Sequence, residues 1–224
     1  AHYGRDADEW VGGQAVVIPL AQDGSLGAPG ASSRGPADRP CVNAHQVVFT
    51  TRGDYVLVPC LGSDYVLQYR FDAGKLSLND PPTADVASGS GPRHLALSPD
   101  QRNAYLLTEL GGSVVWFDYD RAAGLLSQAG TLQATKAPIA AGGEGWSAHI
   151  LVHPNGRFLY VSNRQESPER GTENTLGVFR LDARGELREL RRLEADRTDD
   201  VPAVRAVDRR PQDEHGRAGD EGAD

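Results

Sequence analysis

The chain has 224 residues, a formal net charge of −8 and two cysteines. The negative charge argues against nucleic acid as a general partner, because surfaces that bind nucleic acid are rich in lysine and arginine. A chain of this length can bury one large core, and no run of about eighteen apolar residues occurs, so we predict no membrane partner. We expect a cytoplasmic protein, with a processed secreted form as the alternative.

The N-terminal region contains half of a structural repeat. Residues 1–14 are polar and glycine-rich, which favours a frayed strand or a loop. Residues 15–26, AVVIPLAQDGSL, read as an apolar strand followed by a polar turn, and residues 27–44 form a long Gly-, Pro- and Ser-rich connection. Cys41 and Cys60 are too few for a disulfide scaffold and lack metal-site spacing, so we expect two free thiols packed near strands.

A β-hairpin is predicted in the middle of the chain, and the other repeats are aligned to it. Residues 91–110, GPRHLALSPDQRNAYLLTEL, contain a short apolar strand, a turn at SPDQ and a returning strand, AYLLT. Antiparallel pairing brings the start of the first strand next to the end of the second. We therefore expect Arg93, His94 and Glu109 to meet at one end of a sheet.

This hairpin recurs along the chain. Residues 45–61 and 148–164 align with it, and Phe49, Leu97 and Val152 occupy equivalent positions at spacings of 48 and 55 residues. Each copy is followed by a second strand–turn–strand module: VLQYRFDAGKL, VVWFDYDRAAGLL and LGVFRLDARGEL. A repeat of about fifty residues with four short strands is typical of a β-propeller. We predict an all-β fold with three blades and a partial fourth within residues 1–193.

Three segments are predicted to lie outside the blades. Residues 133–147 and 165–174 should be surface loops. Residues 194–224 contain ten acidic residues and five arginines but no aromatic, Leu or Ile side chain. Such a segment cannot bury enough apolar area to offset its ordering entropy, so we expect disorder. It reads equally well as a genuine acidic tail or as an out-of-frame product of a GC-rich gene.

The repeat alignment also singles out a polar site. Charged and histidine side chains stand at strand starts and strand ends, where a propeller usually repeats apolar residues. Among these side chains, the predicted catalytic residues are His45, Arg93, Glu109 and Arg164. His94 and His149 should lie beside them as substrate-binding residues. Guanidinium groups suit carboxylate or phosphate, and a histidine exchanges protons near neutral pH. The sequence thus favours an anionic substrate.

These residues also have structural interpretations. Arg93 and Glu109 could form only a structural ion pair, and His45 and His94 could only cap backbone groups at strand ends. A metal site built from His45, His94 and His149 is disfavoured, because no acidic or cysteine ligand pattern accompanies the three histidines.

Several stretches of the chain resemble the lactonase family of seven-bladed β-propellers. They are HQVVF, GPRHLALSPD followed by YLLTEL, HILVHPNGRFLYVSNR and NTLGVFRLDARGEL. That family includes one class of 6-phosphogluconolactonase and the fungal carboxymuconate-lactonizing enzyme. The resemblance covers residues 1–193, or about half of a family member's length, so the chain looks truncated.

The resemblance implies a lactone-active site that uses neither a metal nor an organic cofactor. By motif, the family's histidine falls on His45, its two arginines on Arg93 and Arg164, and its glutamate on Glu109. It implies a hydrolase acting on a small anionic sugar-acid lactone such as 6-phosphogluconolactone. A lactonizing cycloisomerase and a non-catalytic binding propeller or remnant are the alternatives. An incomplete propeller is also expected to self-associate through its open blade edges.

Overall fold

The computed structural model describes residues 2–3, 13–135, 145–165 and 174–194. In these residues all regular structure is β-strand, arranged as four antiparallel sheets, which confirms the all-β prediction. The predicted loops at 133–147 and 165–174 lie partly outside the described residues, and at their ends Gln133, residues 145–147 and Gln165 belong to strands instead. The predicted acidic tail lies outside them apart from Glu194, which ends a strand. No helix in the described part of the chain is long and apolar enough to cross a membrane.

The partial fourth unit is a small three-stranded sheet at the N-terminus. It consists of β1 (His2–Tyr3), β2 (Gly13–Val16) and β3 (Ser32–Ser33), in the order β1-β2-β3. The strand β3 lies inside the segment that was expected to be an irregular connection. Gly13 is required where this sheet meets the first blade, because a Cβ atom there would collide with the backbone of Ala44.

The three predicted blades are each a four-stranded sheet with its strands in sequence order. The first contains β4 (Val48–Phe49), β5 (Tyr55–Cys60), β6 (Tyr65–Asp72) and β7 (Lys75–Asp85). The second contains β8 (Pro92–Leu97), β9 (Asn103–Thr108), β10 (Ser113–Asp120) and β11 (Leu125–Gln133). The third contains β12 (Gly145–Val152), β13 (Phe158–Gln165), β14 (Thr175–Leu181) and β15 (Leu187–Glu194).

Successive blades pack face to face, so the middle strands are buried on both sides. In β9, Leu106 packs with the first blade through Leu57, whereas Leu107 packs with the third blade through Val161. All six residues of β9 are buried, which explains why the strand reads as a continuous apolar run instead of an alternating pattern. Each large apolar side chain buried in this way contributes about 1.5–3 kcal/mol.

The prediction of two free thiols is wrong. Cys41 and Cys60 form a disulfide with their Cα atoms 5.5 Å apart. Cys41 lies in the irregular segment before the first blade and Cys60 ends β5, and a bridge between Ala44 and Cys60 brings the two regions together. The sequence spacing alone carried no sign of this contact, because it depends on how the N-terminal segment folds back onto the blade.

Candidate active site

The predicted hairpin places Arg93 and Glu109 at one sheet end. In the ladder between β8 and β9, Pro92 pairs with Thr108 and His94 pairs with Leu107. Arg93 is therefore the extra residue of a β-bulge, a device that redirects a side chain next to a functional site. The third blade repeats the bulge at Ala148, the position equivalent to Arg93.

A buried glutamate joins two arginines from different blades. Glu109 Oε2 accepts a hydrogen bond from Arg93 Nε at 2.8 Å, and Glu109 Oε1 accepts one from Arg164 Nη2 at 2.7 Å. The glutamate side chain is only 4% exposed and that of Arg93 12%, whereas that of Arg164 is 44% exposed. The arrangement holds Arg93 rigidly and leaves the Arg164 guanidinium accessible to a ligand.

Three histidines form a row beside this ion pair. The ring centroids of His45 and His94 are 5.0 Å apart, as are those of His94 and His149. The Nδ1 atoms of His94 and His149 are 2.8 Å apart, within hydrogen-bond distance. His45 Nε2 lies 4.0 Å from Glu109 Oε2. The structure therefore brings all six sequence-predicted site residues together.

Burial and nearby positive charge keep two of these histidines neutral. Burial, followed by the Arg93 guanidinium, lowers the pKa of His45 to about 4. The same two causes, in the same order, lower the pKa of His94 to about 3. Both rings are uncharged near neutral pH, so the contact between His45 and Glu109 is not an ion pair there. With two arginines and one glutamate, the ion-pair centre retains one net positive charge.

These pKa shifts predict a loss of stability in mild acid. The unfolded chain protonates its histidines near pH 6.5, whereas the folded chain protonates His45 and His94 only near pH 4 and 3. Between these values the unfolded state binds more protons, so the free energy of unfolding falls as the pH falls. From pH 7 to pH 5 we expect a loss of about 1–2 kcal/mol per histidine, measured by urea denaturation.

The double substitution His45→Gln and His94→Gln should flatten this pH profile. The control is His153→Gln at the turn after β12, which should leave the profile steep. Equal slopes for the wild type and the double variant between pH 7 and pH 5 would show that these two rings do not control the acid response.

Several supporting residues escaped the sequence prediction. The Asp64 carboxylate accepts hydrogen bonds from Gly89 N at 2.7 Å and Gly91 N at 3.0 Å, which holds the segment that leads to Arg93. Gln46 Oε1 accepts a hydrogen bond from Leu95 N at 2.6 Å, and this bond links the first two blades. Gln46 could have been found, because it aligns with His94 and His149 in the repeat. Asp64 stands in a turn and carried no such signal.

Arg93 also makes a bond to the third blade that no sequence feature indicated. Its Nη1 atom donates to the backbone carbonyl of Ala148. Within the described residues, no group of three or more His, Cys, Asp or Glu side chains is arranged to hold a metal ion. The expectation of a site without metal or cofactor stays a prediction.

The fold and the site together define a class of protein: a β-propeller with an arginine–glutamate–histidine centre at one end of its blades. The sequence model of the family described as "Lactonase, 7-bladed beta-propeller" matches residues 1–202. The chain belongs to this lactonase family, as its sequence motifs suggested.

Similar proteins support this assignment. The chain is 34% identical over 170 residues to a 6-phosphogluconolactonase of Pectobacterium carotovorum, covering 75% of the chain and 47% of that protein. It is 31% identical to a 6-phosphogluconolactonase of Bacillus subtilis over 157 residues, covering 68% and 44%. Its structure resembles a periplasmic gluconolactonase of Pseudomonas aeruginosa, with a TM-score of 0.70, 33% identity and coverage of 82% and 51%. The chain thus spans about half the length of these proteins.

Proposed function

We propose that the protein hydrolyses a sugar-acid lactone such as 6-phosphogluconolactone. The observation that carries this proposal is the buried Glu109 held between Arg93 and Arg164, with the neutral imidazole of His45 beside it. The names of the similar proteins, 6-phosphogluconolactonase and gluconolactonase, support the same chemistry.

The two arginines supply the electrostatic part of the reaction. The exposed guanidinium of Arg164 suits the anionic group of the substrate, because its planar N–H donors match phosphate or carboxylate oxygens. Arg93 is held rigidly and would polarise the lactone carbonyl, stabilising the oxyanion that forms when water attacks. The positive charge of the centre favours this assignment.

His45 is favoured over Glu109 as the base. Both carboxylate oxygens of Glu109 already accept hydrogen bonds from guanidinium groups. The neutral imidazole of His45 can take a proton from the attacking water. The water oxygen then bonds to the carbonyl carbon, the ring C–O bond breaks, and the ring oxygen leaves as a hydroxyl after accepting the proton held by His45. The resulting carboxylic acid releases its own proton to solvent, and the product is the open-chain carboxylate.

A direct assay tests the proposal. We would follow acid release from 6-phosphogluconolactone and from unphosphorylated gluconolactone, subtracting the spontaneous rate, and compare the wild type with Arg164→Ala. The matched control is Arg52→Ala, which removes a 76% exposed surface arginine paired with Asp54. Hydrolysis that is lost in Arg164→Ala and kept in Arg52→Ala supports the proposal.

Two further measurements separate the alternatives. Binding of 6-phosphogluconate without hydrolysis of its lactone would indicate a binding propeller or an inactive remnant. Ring closure of a carboxymuconate substrate without hydrolysis of sugar lactones would indicate the cycloisomerase. Either result would overturn the lactonase assignment.

We also propose that the protein works in an oxidising compartment. The cytoplasmic location expected from the sequence stays a prediction, but the buried Cys41–Cys60 disulfide favours the secreted alternative, because disulfides persist mainly outside the cytosol. The resemblance to a protein named as periplasmic points the same way. Fractionation of the producing cells, with thiol labelling of the recovered protein, tests this; recovery of reduced protein from the cytosol would refute it.

We propose, finally, that the chain self-associates through the open face of its third blade. By repeat position, Leu151 of β12 is equivalent to Ala96 of β8, which packs in the core between the second and third blades. Leu151 instead is 55% exposed. Exposed apolar sheet faces of this kind tend to associate.

We therefore expect the purified chain to sediment as dimers or larger species, and Leu151→Asp to shift it toward the monomer. Leu26→Asp, at a 72% exposed leucine in the N-terminal region, is the matched control and should not change the distribution. A monodisperse wild-type monomer would show that this face needs no partner.

A further inference from the structure

The disulfide joins the segment that carries the candidate base to the neighbouring strand β5. Cys41 is four residues before His45, and Cys60 ends β5, the strand against which the His45 segment runs. We propose that the Cys41–Cys60 disulfide positions the His45 imidazole, so that both cysteines are positioning residues of the active site. The functional meaning of this inference rests on the proposed lactonase activity.

Backbone hydrogen bonds show how the disulfide reaches His45. His45 N donates to Pro59 O at 3.0 Å, and Leu61 N donates to Asn43 O at 3.1 Å. These bonds form a short antiparallel ladder that contains the Cys60 end of β5. The disulfide attaches Cys41, four residues before His45, covalently to Cys60 in this ladder. It therefore prevents the segment from sliding or peeling away from β5.

The segment needs such an attachment because little regular structure precedes it. Residues 34–40 contain no strand and are mostly exposed. Cys41 is held to the N-terminal region by two backbone bonds, from Cys41 N to Arg34 O at 2.6 Å and from Gly13 N to Cys41 O at 2.8 Å. A cross-link restricts the conformations open to such a segment when the hydrogen bonds break.

The second blade provides an internal comparison. Asn43 and Gly91 are equivalent in the repeat, and both have a positive φ, of 55° and 65°. The segment at Gly91 leads to Arg93 and is held by the Asp64 carboxylate, through Gly89 N and Gly91 N. The segment at Asn43 leads to His45 and is held by the disulfide. Each of the two site residues thus has its own attachment immediately upstream, one made by hydrogen bonds to a carboxylate and one covalent.

The disulfide is also shielded from solvent. Both cysteines are 0% exposed, so the bond is expected to be reduced more slowly than an exposed disulfide. A dithiol in excess opens it by delivering two electrons and two protons. The Sγ–Sγ bond breaks, two cysteine thiols form, and the dithiol is oxidised to its own cyclic disulfide.

The test is NMR titration of the histidine rings in the whole chain carrying Cys41→Ala and Cys60→Ala. Loss of the disulfide should admit water around His45. We therefore expect the titration midpoint of His45 to rise from about 4 toward the usual value near 6.5. The ring signals of His153, at the remote turn of the third blade, should not change. In active protein, kcat for lactone hydrolysis should fall about tenfold or more, with a smaller change in KM.

A control variant separates positioning from general destabilisation. Leu187→Ala weakens the core of the third blade, far from the disulfide, and should leave the titration of His45 unchanged. An unchanged His45 titration in the folded double cysteine variant would overturn the proposal. Because this readout needs no turnover, failure of the lactonase assignment and failure of the positioning role are distinguishable.

A second measurement covers a double variant that does not fold. Wild-type protein reduced with dithiothreitol would be compared with the oxidised protein by amide hydrogen exchange. We expect exchange at His45 and Leu61 to accelerate at least tenfold on reduction, while Leu106 in the second blade stays protected. Equal loss of protection at Leu106 would mean that the bond holds the whole fold and not the site, and would overturn the proposal.

Discussion

Replacing Arg93 with alanine is expected to lower the rate of lactone hydrolysis by about 10²–10³-fold, because the loss of an oxyanion-stabilising donor typically has that effect. Arg93 is held in place by Glu109 Oε2 and by the carbonyl of Ala148, so its guanidinium is fixed before the substrate binds. The substitution removes this prearranged positive charge. Steady-state kinetics on 6-phosphogluconolactone would measure the effect.

Two companion measurements make the result specific. Arg93→Lys keeps the charge but loses the planar set of donors, so most of the rate loss should remain. Arg52→Ala, at an exposed surface pair, should keep full activity. Because the chain spans about half the length of its relatives, the same substitution belongs also in a full-length relative that carries the GPRH and TEL motifs. Activity within twofold of the parent, with unchanged melting, would remove Arg93 from the site.

Glu109→Gln is expected to lower the free energy of unfolding by about 3 kcal/mol, because breaking a buried ion pair leaves an uncompensated buried charge. The carboxylate is 4% exposed and balances two guanidinium groups. Since Arg164 is 44% exposed, solvent can stabilise that side, so the effect lies at the low end of the 3–5 kcal/mol expected for fully buried pairs. Urea denaturation at pH 7 measures it.

The surface pair between Arg39 and Asp85 is the matched control. It has similar geometry, with Arg39 Nη2 2.9 Å from Asp85 Oδ1, but both side chains are about half exposed. Asp85→Asn should therefore cost at most about 1 kcal/mol. If Glu109→Gln costs no more than Asp85→Asn and leaves hydrolysis intact, Glu109 is neither a structural nor a functional centre.

The blades could be predicted because their contacts are local in sequence. Each hairpin pairs residues separated by one short turn, so the repeat at Phe49, Leu97 and Val152 was enough to locate the strands. The same local pairing placed Arg93 and Glu109 at one sheet end. The apolar core followed from the repeat as well, because every blade presents equivalent faces to its neighbours.

Contacts between blades depended on the tertiary structure. The bond from Arg164 to Glu109 spans 55 residues, and its formation depends on the angle at which the third blade packs against the second. The bulge that redirects Arg93 arises from a register shift between Pro92 and His94, and the residue types at these positions do not indicate such a shift. The low pKa values of His45 and His94 come from burial and from Arg93, which exist only once the blades have assembled.

The pairing of Cys41 with Cys60 is another contact that the tertiary structure decided. From the sequence alone, Cys41 and Cys60 were two cysteines 19 residues apart, one in an irregular segment and one at a strand end. Their pairing follows from the way residues 41–45 fold back along β5, which is a long-range packing event. The sequence by itself thus determined the repeat, the strands and the residue types of the site. The tertiary structure decided which of those residues touch, because contacts across blades depend on packing and not on local pairing.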